Sequence, residues 1–368
     1  MKPMIKIALV LLAFVFFNAA TCQNAANNSS NEIVPLKTIY QDYFLIGNII
    51  NPRYMLDEYF EILTTHYNTV TCENDMKPNG LAPRERGGQY RWTSADSMVS
   101  RMTEYNIKVH GHTLVWHSQT PAWMTTGTPA EVRENMVSYI RTVLGHYKGK
   151  VFSWDVVNEA LREGVNDSNW RNNLRTDSGW YVAMGADYIE LAFRTAREAD
   201  PDVLLYYNDY NLNNQRKSDA VRNMVKELND KYKAEGNTRN LIDGIGMQAH
   251  YSTTTRIGDV RSSIEKFAEI GVIVDISELD IGTKTGNSGT GRNSVMTDTD
   301  ARLQAIQYAL LFNVFMEFKD HITRVTMWGI DDENSWRSFG NPCLFDEDLK
   351  PKPAFFAVSY ASSYLPEE

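Results

Sequence analysis

The sequence is poor in cysteine, with 3 in 368 residues, and beyond Cys22 only Cys72 and Cys343 remain. No CxxC pair, zinc-type Cys/His spacing or EF-hand loop occurs, so neither a disulfide framework nor a structural metal is expected to organise the fold. The two distant cysteines leave a bridge open, but packed free thiols are the simpler expectation. Positive charge is also in deficit: 37 Lys and Arg stand against 46 Asp and Glu, a formal net charge of −9. Phosphate backbones are bound by basic surfaces, so nucleic acid is a poor partner and a neutral polysaccharide a better one. Long apolar runs are missing too. Ile7 to Phe17 falls short of the roughly 20 residues that span a bilayer. Ala305 to Phe318 is short as well, and is broken by Gln307, Asn313 and Glu317, which fits a buried helix. No repeat and no second module is visible.

What the amino end does contain is an address. Lys2 and Lys6 accompany the apolar run Ile7 to Phe17, the pattern of a secretory leader, which assigns residues 1–21 to a signal peptide. Ala19-Ala20-Thr21-Cys22 has the outline of a lipoprotein cleavage box with Cys22 acylated, although Thr21 departs from the usual Gly, Ala or Ser. Lipid anchoring and plain secretion both stay open. Residues 22–35, rich in Asn and Ser, read as a flexible tether. The expected location is the outside: secreted, periplasmic or on the outer surface, with the membrane reached only through a lipid on Cys22.

From there, eight short apolar segments alternate with helical patterns: Tyr43 to Ile50, Thr69 to Asp75, Lys108 to His117, Ser153 to Glu159, Val203 to Asp209, Gly244 to His250, Val272 to Asp280 and Arg324 to Asp332. That count predicts an α/β fold, a closed (β/α)8 TIM barrel forming a single catalytic domain over residues 36–364. Val132, Met136, Ile140, Val143 and Leu144 recur at helical spacing and are expected in the core. An open doubly wound sheet is the structural competitor. Gly244-Ile245-Gly246-Met247-Gln248-Ala249 even has the form of a dinucleotide fingerprint, but it runs through a strand pattern and opens no helix, so it is set aside. Lys350-Pro351-Lys352-Pro353 is expected to begin a closing helix.

Two glutamates stand at strand ends: Glu159 closes Trp154-Asp155-Val156-Val157-Asn158-Glu159, and Glu278 lies in Ile276-Ser277-Glu278-Leu279-Asp280. Core packing calls for neither, whereas glycoside hydrolysis needs one carboxyl to protonate the leaving oxygen and one to act at the anomeric centre. A strand-end glutamate is most often merely solvated. Its neighbours change that balance, because polar and aromatic residues gather where nearly every strand ends: Glu73, Asn74 and Lys77; His112, Trp116, His117 and Gln119; Asn158 and Glu159; Asn208 and Tyr210; Gln248, His250 and Tyr251; Glu278 and Asp280; Trp328 and Trp336. In a barrel these ends share one face. His110 and His112 form an HxH pair, yet no carboxylate or third histidine is spaced to complete a metal site. Asp331-Asp332-Glu333 reads as a loop at the mouth rather than a cation site.

The runs Glu73 to Lys77, Gly111 to Gln119, Trp154 to Glu159, Gly244 to Tyr251, Ile276 to Asp280 and Trp328 to Trp336 together resemble glycoside hydrolase family 10, the retaining endo-β-1,4-xylanases, over about Leu36 to Tyr364. The resemblance implies Glu159 as general acid/base and Glu278 as nucleophile, with carboxyl groups about 5 to 5.5 Å apart. It implies His250 bonded to Glu278 and oriented by Asp280, and Asn158 on the sugar 2-hydroxyl. Glu73, Asn74, Lys77, His112, Gln119 and Gln248 would contact or orient sugar, with His117 supporting the site. Trp116, Trp328 and Trp336 would wall the cleft, Tyr210 or Tyr251 would extend it, and Asn208 would bind substrate. The implied partners are xylan and xylo-oligosaccharides, with no cofactor and no metal, acting as a monomer. Two rivals stand beside it: a cellulase-like barrel β-1,4-glycanase with the same glutamates, and a non-hydrolytic surface glycan-binding protein. Against the second stands the joint presence of Glu159, Glu278, His250 and Asp280.

Overall fold

The strands are all parallel and close on themselves. In the computed structural model, which describes residues 33–283 and 295–364, they are β1 (Leu45–Ile50), β2 (Thr69–Cys72), β3 (Lys108–Trp116), β4 (Ser153–Asn158), β5 (Leu204–Asp209), β6 (Gly244–Met247), β7 (His250–Ser252), β8 (Ile273–Gly282) and β9 (Ile322–Met327). Neighbours pair in order from β1 to β6, β6 pairs with β8, β8 with β9, and β9 returns to β1. The short β7 lies beyond β6 on the same flank of β8. Eight strand positions therefore make a closed (β/α)8 barrel, and the β9–β1 ladder excludes an open doubly wound sheet. The predicted leader, Cys22, most of the tether and the stretch 284–294 lie outside the described residues; the described residues from Pro35 onward form one compact unit.

Each predicted segment contains a strand, with two differences. The segment Gly244 to His250 breaks into β6 and β7 at Gln248-Ala249, where Ala249 has φ +61° and turns the chain out of the ladder. The last strand begins at Ile322 and stops at Met327, leaving Trp328 to Asp332 on the loop beyond it. The glycines of the fingerprint-like stretch serve packing: a Cβ on Gly246 would lie 2.3 Å from Asn208 Oδ1, and one on Gly244 2.4 Å from the Tyr206 ring.

The helices outside carry their own start signals. Thr128 and Glu131 form a reciprocal capping box at the head of the helix Pro129–Tyr147, worth about 1 kcal/mol. Val132, Met136, Ile140, Val143 and Leu144 of that helix are buried against the barrel. The helix Asp298–Glu317, capped by Thr297 and Asp300, buries Tyr308, Phe312 and Phe315, each worth about 1.5–3 kcal/mol of transfer free energy. Among the described residues no helix is long and apolar enough to cross a membrane. Cys72 and Cys343 are buried free thiols, and Pro353–Ser359 is the closing helix.

The barrel interior is polar along one line. Arg324 binds Asp275 at 2.9 Å and Thr71 Oγ1 at 2.8 Å, all three nearly inaccessible. Removing one member of such a buried pair costs about 3–5 kcal/mol because it strands the other charge. Further toward the mouth Asp155 lies between His110 and His112, at 3.1 and 2.8 Å. Burial would raise the Asp155 carboxyl, but the two imidazoles hold it well below the usual carboxylate range.

Candidate active site

Four consecutive strands are followed within three residues by one with left-handed backbone: Gln119 (φ +43°) after β3, Glu159 (+55°) after β4, Asn211 (+54°) after β5 and Ala249 (+61°) after β6. Each costs about 1–2 kcal/mol for a side chain with a Cβ, and such strain is sustained only where the surroundings enforce it. The ladders also slip register between His112 and Val115, Asp155 and Val157, and Ile276 and Leu279. These bulges shift the two-residue alternation just where the site residues stand, so β4 and β8 deliver their glutamates to the mouth.

Glu278 is buried and surrounded by donors. His250 Nε2 lies 3.1 Å from its Oε2 and Asn208 Nδ2 2.8 Å from its Oε1. The other ring nitrogen of His250 lies 3.0 Å from Asp280 Oδ2, as the pairing of His250 with Asp280 across β7 and β8 dictates. Burial pushes Glu278 up, but the His250 bond and the neighbouring imidazoles outweigh it and hold it below 4.5. For His250 burial acts downward, and the Asp280 and Glu278 carboxylates overrule it, raising the imidazole to about 9. At neutral pH this is an imidazolium between two carboxylates.

Glu159 is more open, its side chain 15% exposed. Trp116 Nε1 donates to Oε2 and Gln248 Nε2 to Oε1, both at 2.9 Å. The amide of Asn158 lies 3.2 Å from Gln248 Nε2 and 3.0 Å from Asn208 Nδ2. A run of three amides, Gln248, Asn158 and Asn208, thus joins one glutamate to the other across the barrel. Asn208 is fully used: its oxygen accepts from Ser277 at 2.6 Å, and the residue is 0% exposed. It holds Glu278 rather than presenting a surface to substrate, as the expected substrate-binding role would need.

Around the pair, Lys77 is buried with its ammonium 3.0 Å from Asn74 Oδ1 and 5.1 Å from the Trp116 ring. Burial lowers its pKa, against Glu278, Glu73 and Glu159, which raise it. Glu73 accepts from Asn51 at 2.8 Å. The HxH pair meets a carboxylate after all, Asp155 on the neighbouring strand; among the described residues no group of three or more His, Cys, Asp or Glu is arranged for a metal. His117, pushed down to about 4 by burial and by Arg175, stands neutral 4.0 Å from Glu159. Trp328 packs edge-on against His112, centroids 5.6 Å apart. Trp336 is 52% exposed, donates to Asp280 at 3.0 Å and covers His250 edge-on at 4.8 Å. Tyr210 is half-buried and Gln119 exposed, whereas Tyr251 is in the core at 4% exposure and offers the cleft no surface. Asp332 is spent on Lys352 at 2.7 Å.

Two arginines enter that no motif singled out. Arg337 is buried and donates to Asp280 Oδ1 and, at 3.1 Å, to the Tyr251 carbonyl. Arg175 reaches back from the loop after β4 to the Glu159 carbonyl at 3.0 Å. The only signal for Arg337 was its place beside Trp336; for Arg175 there was none.

Residues 35–361 match the sequence model of Glycosyl hydrolase family 10. The chain is 40% identical over 340 residues to endo-1,4-beta-xylanase A of Thermotoga maritima, covering 89% of this chain and 31% of that one. It thus spans about a third of that longer relative. Against the beta-1,4-xylanase of Dictyoglomus thermophilum it is 36% identical, with 96% of this chain and 97% of that one covered. A solved structure, the bacterial Ig-like domain containing GH10 xylanase from termite gut, superposes with a TM-score of 0.84 at 38% identity, over 90% of this chain and 78% of that one. With a closed barrel carrying both glutamates and the imidazole at one mouth, the chain belongs to glycosyl hydrolase family 10.

Proposed function

We propose that this protein is a retaining endo-β-1,4-xylanase that cuts internal bonds of xylan by double displacement. The observation that carries the division of labour is the asymmetry of the two carboxyls. Glu278 is buried, held below 4.5 and bonded to the His250 imidazolium, which suits a permanently ionised nucleophile. Glu159 is reachable by solvent and bonded through neutral indole and amide donors, which suits a group that gives and retakes a proton. In the first step Glu159 gives its proton to the glycosidic oxygen as the bond from that oxygen to the anomeric carbon breaks, and a Glu278 oxygen bonds to that carbon. In the second, water attacks the same carbon, Glu159 takes its proton and the ester to Glu278 breaks.

Substrate choice rests on the names borne by the relatives and on the lid. Xylose lacks the hydroxymethyl group of glucose; Trp336, exposed over His250, is the side chain we assign to meet that group, with Trp328 and Gln119 as its expected companions. A steric clash costs a few kcal/mol, on the order of a hundredfold in preference. In this reading Asn158, His112, Glu73, Asn74, Lys77 and Gln248 bind or orient the sugar. The leader pattern of residues 1–21 supports a location outside the cytoplasm, either secreted or anchored through Cys22; labelling with radioactive palmitate, lost in Cys22→Ala, tests the anchor. For the activity, products from xylan and from xylo- and cello-oligosaccharides of equal length are followed by chromatography and proton NMR. The first reducing ends should appear as β-anomers, with xylo-oligosaccharides preferred about a hundredfold. Initial α-anomers would refute retention, and equal efficiency on both series would falsify the xylan assignment in favour of a cellulase-like enzyme.

A further inference from the structure

We propose that Arg175 is a positioning residue for proton transfer: by gripping the Glu159 carbonyl and anchoring on the Tyr210 hydroxyl, it holds the left-handed Glu159 peptide and aims the carboxyl at the leaving oxygen. The inference rests on the retaining reading of the site.

Glu159 is the first residue after β4, and its φ of +55° is one that an ordinary side chain leaves unless it is restrained. Its amide donates to the Asn208 carbonyl at 2.9 Å. Its own carbonyl accepts from Arg175 Nε at 3.0 Å, a charge-assisted bond. Trp116 and Gln248 hold the carboxylate oxygens, and the Asn208 and Arg175 bonds hold the backbone on either side of the Glu159 Cα, so the Arg175 bond is the side-chain contribution to the backbone aim. Arg175 itself is fixed at both ends. Its amide donates to the Ala160 carbonyl at 2.9 Å and the Arg162 amide to the Asn173 carbonyl at 2.9 Å, a single antiparallel bridge between Leu161 and Leu174 that folds the loop back beside Glu159. Its Nη2 donates to the Tyr210 hydroxyl at 2.5 Å. Tyr210 is pinned in turn, with Lys217 Nζ 3.7 Å above its ring and its amide on Asp209 Oδ1 at 2.9 Å. Among the described residues Arg175 forms no ion pair with a carboxylate, so its charge is spent on a carbonyl and a phenol.

A residue that only supports the fold lowers all steps alike when lost, whereas one that aims the acid matters in proportion to how much proton the leaving group needs. The test compares wild type, Arg175→Met and Arg175→Lys on aryl β-xylobiosides whose phenols range from strongly acidic to weakly acidic, with single-turnover rates of glycosylation. In Arg175→Met the glycosylation rate with the most acidic phenol should stay within about threefold of wild type, and with the least acidic phenol it should fall about tenfold to a hundredfold. The dependence of rate on phenol pKa should steepen accordingly. Azide, which needs no base, should restore deglycosylation and yield the β-xylosyl azide. Arg175→Lys, which keeps the charge and one donor, should recover part of the slow-substrate rate. A loss equal for all phenols, or no azide effect, would overturn the proposal. If Arg175→Met does not fold by thermal melting, the same comparison in Arg175→Lys decides, since a uniform loss there is equally fatal. Wild type is measured first: if its initial products from xylan are α-anomers, the retaining reading itself has failed, separately from this one.

Discussion

Glu278 and Glu159 accept from different donors, so removing either carboxyl leaves different groups stranded and different chemistry intact. Glu278→Ala should abolish turnover on every substrate. Glu159→Ala should still form the glycosyl-enzyme from an aryl xylobioside with a good leaving group, then stall, and azide should release it as the β-xylosyl azide. An α-azide, or azide rescue in Glu278→Ala instead, would reverse the two roles. Acidity gives a second check. Glu278 is held below 4.5, so the acid limb of the activity profile should fall below that value, and Glu159→Gln should remove the alkaline limb for activated substrates. Stability should follow the same groups. The His250 pKa is raised from 6.5 to about 9, so its contribution is complete below 6.5 and is lost as pH rises through 9. The Glu278 pKa is lowered, so its contribution is present above 4.5 and is lost as pH falls. Urea midpoints of wild type should therefore decline between pH 7 and 9, and His250→Gln should flatten that decline; parallel slopes in both proteins would sink the linkage.

Loops and strand ends differ in how much of their role the sequence discloses. The eight strand segments, the helix Pro129–Tyr147 and the site residues on β3, β4 and β8 were readable because apolar runs and turn signals mark them locally. The break between β6 and β7 was not, since Ala249 carries φ +61° without the Gly or Asn that usually announces such a turn. The meeting of His110, His112 and Asp155 was hidden for another reason: β3 and β4 are adjacent only once the barrel pairs them. Arg175 and Arg337 act from loops whose partners are distant in sequence, and a surface arginine would look the same in the sequence. The β9 loop carries a testable consequence, because Trp336 both covers His250 and donates to Asp280. Trp336→Ala should lower kcat/KM on xylo-oligosaccharides about tenfold and narrow the gap to cello-oligosaccharides. Trp336→Phe keeps a ring but loses the N–H, so it should retain more of the discrimination than Trp336→Ala. Equal discrimination in wild type and Trp336→Ala would remove this side chain from the lid.

The barrel closes only when β9 meets β1, so the sheet keeps free edges until the carboxyl-terminal third of the chain has joined the amino-terminal strands. Opening it should accordingly be a single cooperative event. The two buried thiols make that visible. Cys72 ends β2, Cys343 precedes the closing helix, and burial raises both above the ordinary thiol range, so neither reacts in the folded barrel. Each is a clock built into a different sector. Alkylation by iodoacetamide, read peptide by peptide by mass spectrometry at rising urea, should label the two at matching rates with the same denaturant dependence. Earlier labelling of Cys343 would instead show the closing segment fraying from a barrel that is still shut, and would place the first loss of order in the stretch that carries the Trp336 and Arg337 bonds to Asp280.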